Sequence, residues 1–168
     1  SGDFLTVHGT TDVPGAEPPP VLLAALGPAM LRLAGSAAGG AITWMTGPRT
    51  LESHVVPLVT AAAVGRPAPR IVAALPVCVT DDAAAARDRI AGRFGLAGLV
   101  PEYRRVLDIE GVTGPQDVAL TGDEEAVTRG IELLAATGIT EFVAAPVGTA
   151  HEQHRTLGLL QSVRTGDA

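Results

Sequence analysis

The chain has 168 residues and a formal net charge of −6, from 12 basic and 18 acidic side chains. This length corresponds to one domain at roughly 100 to 200 residues per domain, and a hydrophobic content of 46% excludes wholesale disorder. All the basic residues are Arg and they are spread along the chain, so no nucleic-acid footprint is expected. The longest stretch without a charged residue, 33–48, is interrupted by glycines and is shorter than the ~20 residues that span a bilayer. No membrane helix is therefore expected.

Two features concern the cellular setting of the protein. A single cysteine, Cys78, cannot form an internal disulfide, and no signal-peptide pattern is present. Together they predict the reducing cytoplasm. The first residue is Ser1 rather than Met, so we expect the chain to be a fragment of a longer protein.

The first elements are short and closely spaced. Residues 3–8 alternate enough for a short strand, and the Pro-rich stretch after them predicts a linker, so that 1–20 is a leading segment and 21–168 is the folded unit. Residues 21–26 predict a buried strand. Gly27-Pro28 then opens a helix, with Pro in the first helical position.

Alternating strands and helices continue along the chain. The patterns predict strands over 41–45, 71–79 and 141–147, and helices over 51–64, 83–94 and 101–109. Pro57 weakens the middle of the helix over 51–64. The two helices after the third strand form a helical insertion over about 83–110, and 116–120 is apolar but short.

The last two helices carry sequence signals for their first turns. Asp123 is predicted to cap a helix with an apolar stripe, and Gly138 stands where its C-terminal cap is expected. Thr149 and Glu152 have the spacing of a capping box that starts the final helix. We expect that helix to face inward through Leu157, Leu160 and Val163.

Short apolar strands that alternate with helices predict an α/β fold with a parallel sheet and right-handed crossovers. Four βα units are clear. A closed eight-stranded barrel needs at least about 200 residues, so the chain can supply half of one. The pattern alone leaves this half-barrel and an open doubly wound sheet as alternatives.

Several segments resemble the luciferase-like monooxygenase superfamily, specifically its oxidoreductases that depend on the deazaflavin coenzyme F420. The resemblance covers nearly the whole chain in the family's order and spacing, and its segments are 22–35 (LLAALGPAMLRLAG), 41–48 (AITWMTGP), 76–82 (PVCVTDD), 122–127 (GDEEAV) and 138–143 (GITEFV). It implies the C-terminal half of a luciferase-like (βα)8 TIM barrel, with 2–4 as the loop before the fifth strand. Where relatives often have Ala-Asp-Gly, this chain has Ala38-Gly39-Gly40.

The resemblance also implies a function for the complete protein. It implies hydride transfer between coenzyme F420 and a small organic substrate, with FMN as the alternative cofactor. The residues implied to hold the cofactor are Ala25, Leu26, Gly27 and Pro28, and those implied to line the mouth of the site are Thr43, Trp44, Thr46 and Arg49. The implied partners are the missing N-terminal half or a second copy of the chain, in a homo-oligomer. The alternative function is a non-catalytic half-barrel module that dimerises or pairs with another chain.

The residues themselves leave the chemistry open. The turn at Gly27-Pro28 is an anion site in principle, because a helix N-terminus presents unpaired N–H groups, but the spacing alone favours a simple tight βα turn. His151 and His154 are three residues apart, unlike the pair in HExxH, so no metal site is expected. No acid–base pair or nucleophile is marked out, and the catalytic residues stay unassigned.

Overall fold

The computed structural model describes residues 9, 15 and 19–165. The strand predicted over 3–8 and the loop over 2–4 lie outside the described residues. In the described part of the chain, none of the helices combines the length and the apolar character needed to cross a lipid bilayer.

Five parallel strands form one sheet. They are β1 (Leu23–Ala24), β2 (Gly40–Trp44), β3 (Arg70–Val79), β4 (Leu120–Gly122) and β5 (Glu141–Pro146). β1 pairs with β2 and β2 pairs with β3, which also pairs with β4 and β5. β3 is therefore the central strand, and its long apolar run fits a strand that is covered on both sides.

Helices follow the strands. They are α1 (Pro28–Ala37), α2 (Pro48–Thr50), α3 (Val56–Ala62), α4 (Ala83–Phe94), α5 (Pro101–Glu110), α6 (Glu124–Ala135) and α7 (Ala150–Thr165). A π-helical segment, Leu51–Val55, joins α2 to α3, and 3-10 segments lie at Gly95–Leu99 and Pro115–Asp117. The predicted α/β fold with a parallel sheet is confirmed, and the structure adds β4 to the four strands expected from the sequence. α4 and α5 lie between β3 and β4, in the region where the helical insertion was expected.

Three elements differ most from the sequence-based expectation. The buried strand expected over 21–26 covers only Leu23–Ala24, and Val21 is 62% exposed. The helix expected from residue 51 begins at Pro48, and it passes through the π-helical segment just before Pro57. A proline lacks the N–H of a regular helical turn, which accounts for irregular bonding near this position. The apolar run over 116–120 is mostly a 3-10 turn, and the strand there begins only at Leu120.

The main core lies between the sheet and the helices. Ala41, Ala73 and Leu75 of the strands are buried in one cluster with Leu31 of α1 and Val59 of α3. α1 and α3 approach closely because position 35 is glycine. A Cβ added there would lie 2.2 Å from the carbonyl oxygen of Val59.

The other face of the sheet is less covered. In β5, Phe142 and Ala144 pack against the buried clusters, whereas Val143 between them is 46% exposed. Side chains alternate between the two faces of a strand. One face of β5 therefore meets the helices and the other is open.

The final helix packs differently from the expectation. Leu160 and Val163 are partly buried, as expected, but Leu157 is 50% exposed. The fully buried residue is Thr156, whose Oγ1 accepts a hydrogen bond of 2.9 Å from the backbone N–H of Val79. β5 pairs with β3 only as far as Val77. On the β5 side, the backbone N–H of Val79 therefore lies beyond the last residue that pairs with β5. The hydroxyl of Thr156 accepts a hydrogen bond from this N–H, which a leucine side chain could not do.

Candidate functional site

The carboxyl ends of parallel strands meet at one edge of the sheet, where barrel active sites are found. A cavity of about 620 Å³ lies at this edge, and we call it the α1 cavity. It is formed by the end of β1 and the first turn of α1, by the end of β2, by Ala74 of β3 and by the first half of α5.

The turn from β1 into α1 leaves the first backbone amides of the helix without a side-chain cap. Gly27 is the N-cap residue and Pro28 follows in the first turn, where its missing N–H costs nothing. No side chain caps the helix and its first turn holds no acidic residue. The bond from the N–H of Leu31 to the carbonyl of Gly27 is 3.0 Å long. The amides that precede Leu31 have no acceptor within the helix and carry the positive end of its dipole.

An arginine of α5 lies beside this turn. A Cβ added to Gly27 would lie 3.7 Å from the guanidinium of Arg105, which lines the α1 cavity. Among the described residues Arg105 has no hydrogen bond or ion pair, and its side chain is exposed. A free guanidinium and an open helix N-terminus together favour an anionic ligand.

Sequence reasoning missed Arg105 because α5 is far from Gly27 along the chain. The available signal was the Arg104-Arg105 pair. Arg104 donates hydrogen bonds to Asp108 and to the carbonyls of Val112 and Thr113. Arg105 has no such partner among the described residues. Glu102 and Tyr103 of the same helix also line the cavity. Burial raises the pKa of the Tyr103 hydroxyl, so this group stays protonated at neutral pH.

Two of the expected mouth residues lie at the α1 cavity. Thr43 is 2% exposed, and its Oγ1 is a buried oxygen with no hydrogen-bond partner among the described residues. Trp44 lines the cavity and also meets Phe94 edge to face, with 5.8 Å between the ring centroids. Side chains alternate along β2, so Thr43 shares the core face with the buried Ala41, opposite to Trp44, and its unpaired hydroxyl is enclosed in the core.

The other two mouth residues lie elsewhere. Thr46 is buried and its hydroxyl donates to the carbonyl of Trp44 at 3.4 Å. Arg49 lies in α2, where its backbone N–H donates to Glu110, and its side chain lines a separate groove with Leu133. The structure thus brings Thr43 and Trp44 together with residues 25–28, but not Thr46 or Arg49.

Backbone geometry around the cavity is specialised at two points. Met45, directly after β2, has a φ of 55°, a left-handed conformation that costs a non-glycine residue about 1 to 3 kcal/mol. His54 lies in the π-helical segment, and its Nε2 is 3.1 Å from the carbonyl oxygen of Leu26. This contact ties the π-helical segment to the residue that precedes Gly27.

The start of α7 lies at the same edge of the sheet and is closed by its own side chains. The N–H of Thr149 donates to Glu152 at 2.7 Å, and the N–H of Glu152 donates to the hydroxyl of Thr149 at 3.3 Å. The predicted capping box is confirmed. The backbone bond from Thr149, together with hydrogen bonds from Thr80 and Arg89, lowers the pKa of Glu152 to about 2. His151 and His154 are exposed, and no group of three His, Cys, Asp or Glu among the described residues could hold a metal ion.

Parallel strands that are each followed by helices, with a ligand-sized cavity at their carboxyl ends, define one half of a (βα)8 barrel. The luciferase-like monooxygenase family matches residues 1–155. The chain belongs to this family.

Solved structures with the same fold agree with this assignment. An F420-dependent secondary alcohol dehydrogenase in complex with an F420–acetone adduct is 19% identical, with a TM-score of 0.67 over 88% of this chain and 50% of that one. The coenzyme F420-dependent tetrahydromethanopterin reductase from Methanopyrus kandleri is 20% identical, with a TM-score of 0.58 over 87% and 50%. The monooxygenase RslO1 from Streptomyces bottropensis is 18% identical, with a TM-score of 0.56 over 87% and 47%.

The chain spans about half the length of these proteins. Identities this low establish the shared fold and nothing finer. No curated protein matches the chain.

Proposed function

We propose that this chain is the cofactor-phosphate half of an oxidoreductase that transfers a hydride between coenzyme F420 and a small organic substrate. The observation that carries the proposal is the open N-terminus of α1 beside the free guanidinium of Arg105. F420 and its alternative, FMN, both carry phosphate, and a helix N-terminus with an arginine is suited to that group. Two of the similar structures are F420-dependent enzymes, which favours F420 as the first choice.

The α1 cavity fits a cofactor of this kind in size and in chemistry. Its volume of about 620 Å³ lies within the usual range of roughly 300 to 1,000 Å³ for small-molecule sites. The amides at Gly27 and the guanidinium of Arg105 would hold the phosphate. Leu26 and Trp44 would exclude water from its apolar parts.

The redox chemistry belongs to the cofactor, since a deazaflavin supplies hydride transfer when it is bound. The residues of this chain bind the cofactor and orient it. His54 holds the carbonyl of Leu26 and thereby fixes the turn that leads to Gly27. The strained backbone at Met45 fits the same role, because it sets the direction in which the chain leaves β2 beside Trp44.

The test is a titration of the full-length protein with F420 and with FMN, followed by the fluorescence or absorbance of each cofactor. We expect saturable binding of F420 and weaker binding of FMN. Binding of FMN without any binding of F420 would refute the first choice of cofactor. Binding of neither would refute the proposed function.

A second candidate is a non-catalytic half-barrel module that pairs with another chain. The observation that favours it is the open face of the sheet, where Val143 is 46% exposed, together with the outer edges of β1 and β5, which have no strand partner in the described part of the chain. Open edges and apolar faces pair readily with other chains. Sedimentation of the isolated 168-residue chain at micromolar concentration tests this pairing. We expect dimers, aggregates or a complex with the complementary half-barrel, and a stable compact monomer would contradict the proposal.

A further inference from the structure

A second cavity lies at the carboxyl ends of β3 and β5. Its volume is about 280 Å³, and we call it the α4 cavity because one wall is the side of α4 that carries Arg89 and Arg93. Cys78 near the end of β3 and residues 147–149 after β5 form the opposite wall. The cavity therefore opens at the same edge of the sheet as the α1 cavity.

The two arginines differ in their partners. Arg89 donates to Glu152 at 2.7 Å, and Glu152 is mostly buried, with 12% of its side chain exposed. Its charge is therefore already compensated, and the contact holds its guanidinium in place. Arg93 has no hydrogen bond or ion pair among the described residues, and its guanidinium carbon lies 5.2 Å from the ring centre of Phe94. The cavity thus contains one uncompensated positive charge that an aromatic ring holds in position.

The remaining lining is apolar. Ala86, Ile90, Phe94 and Val147 contribute hydrocarbon surface, and Ala86, Ile90 and Val147 belong to a small buried cluster with Cys78. One free cation on an apolar wall is suited to a monoanion with a short hydrocarbon chain. A planar guanidinium matches a carboxylate, which can accept two parallel hydrogen bonds from it. A volume of about 280 Å³ suits a small ligand.

The two cavities share an aromatic boundary. Phe94 lines the α4 cavity, Trp44 lines the α1 cavity, and their rings meet edge to face. Ligands in the two cavities would therefore lie on either side of this pair of rings.

We propose that the α4 cavity binds the carboxylate of a small organic acid, with Arg93 as its ion partner and Arg89 as a second, oriented donor. The identification of this acid as the substrate or product of the enzyme rests on the proposed function. The binding of the carboxylate to this chain does not.

The experiment compares butanoate with butanamide, its neutral analogue of the same shape, by ligand-observed NMR titration of the full-length protein. We expect butanoate to bind in the millimolar range and butanamide to bind at least about tenfold more weakly. Arg93→Gln should weaken butanoate binding by about tenfold or more. The matched control is Arg87→Gln, on the same helix but outside the cavity, which should leave the affinity within about twofold. Thermal melting of both variants verifies that they are folded.

A second measurement tests whether butanoate binds at Arg93 itself. Phenylglyoxal modifies accessible arginines, and butanoate should protect Arg93 but not Arg87, as read from peptide masses. Equal binding of butanoate and butanamide, unchanged affinity in Arg93→Gln, or protection by inorganic phosphate alone would each overturn the proposal.

A cofactor titration on the same samples separates this proposal from the proposed function. Cofactor binding without any butanoate binding would overturn the acid site and leave the oxidoreductase intact. Butanoate binding that depends on Arg93, with neither F420 nor FMN bound, would establish the acid site and refute the oxidoreductase.

Discussion

The helices α1 and α7 both begin at the carboxyl end of a strand, yet their N-termini are built in opposite ways. α7 is closed, because Thr149 and Glu152 satisfy each other's backbone amides and Arg89 fixes the carboxylate. α1 is open, because Gly27 and Pro28 provide no side-chain acceptor. α4 and α6 are also closed, by Asp82 and Asp123. Carboxylates of the protein thus occupy the starts of α4, α6 and α7, whereas no side chain occupies the start of α1.

The largest expected effect comes from closing α1 in the same way as α4 and α6. Gly27→Asp places a carboxylate where the cofactor phosphate is proposed to lie, so we expect cofactor affinity in the full-length protein to fall by roughly a hundredfold or more. The strands should remain intact, since Gly27 has an ordinary extended conformation and aspartate is a good N-cap. Cofactor titration and thermal melting measure the two effects.

The matched control is Gly27→Ala, which adds a Cβ at ordinary contact distance from Arg105 but no charge. It should lower the affinity only slightly. Unchanged affinity in Gly27→Asp, in a folded protein, would show that no phosphate lies at the start of α1.

A smaller loss is expected when only the guanidinium beside α1 is removed. Arg105→Gln leaves the helix amides in place and deletes one charge, so the affinity for a phosphorylated cofactor should fall about tenfold. Arg32→Gln is a suitable control, because Arg32 is exposed on α1 and does not line the cavity. The loss should shrink as salt is added, since the partner charge is exposed. An equal loss in both variants would instead indicate a general charge effect.

Removing the side-chain cap at the start of α7 should lower the stability of the protein. Glu152→Gln removes the charged acceptor of the capping box and the partner of Arg89, so we expect a loss of about 1 kcal/mol in the free energy of unfolding. Urea denaturation of the full-length protein measures this loss. Glu125→Gln removes an exposed helical ion pair with Arg129 and should change stability by less than about 0.5 kcal/mol. A Glu152→Gln variant as stable as the wild type would show that the closed start of α7 contributes nothing.

The smallest expected effect is a pH dependence of the loss in the free energy of unfolding that Glu152→Gln causes. The pKa of Glu152 is lowered from 4.5 to about 2 in the folded protein, so its charge stabilises the fold above pH 4.5 and loses this effect as the pH falls toward 2. The stability difference between wild type and Glu152→Gln should therefore narrow between about pH 4.5 and pH 2. A constant difference over this interval would contradict the lowered pKa.

Local signals predicted much of this fold from the sequence. The capping residues Asp123 and Thr149 lie where the sequence placed them, since a cap depends on residues within one turn. Four apolar segments and their helices were also predicted, because hydrophobic periodicity is local. At the site, residues 25–28 and the pair Thr43 and Trp44 lie at one cavity.

Features that depend on distant contacts were not predicted. Arg105 reaches Gly27 only because the insertion folds back over the sheet, and Arg49 turns away because α2 packs against Glu110. Thr156 faces inward because its hydroxyl accepts a hydrogen bond from the N–H of Val79, which lies beyond the last residue of β3 that pairs with β5. The pattern alone favoured Leu157 there, since a leucine is ordinarily the better core residue.

The central position of β3 has a consequence for the order of folding. This strand bonds β2, β4 and β5, and the pair Arg70 and Glu141, which joins β3 to β5, closes a loop with a sequence separation of 71 residues. Pairings across such loops form slowly, because the entropy of closure is lost before the contacts are gained. During synthesis β2 and β3 are complete long before β5 leaves the ribosome, so the nascent sheet exposes one side of its most apolar strand throughout that interval. Between the synthesis of β3 and that of β5, this edge of β3 is therefore open to pairing with other chains.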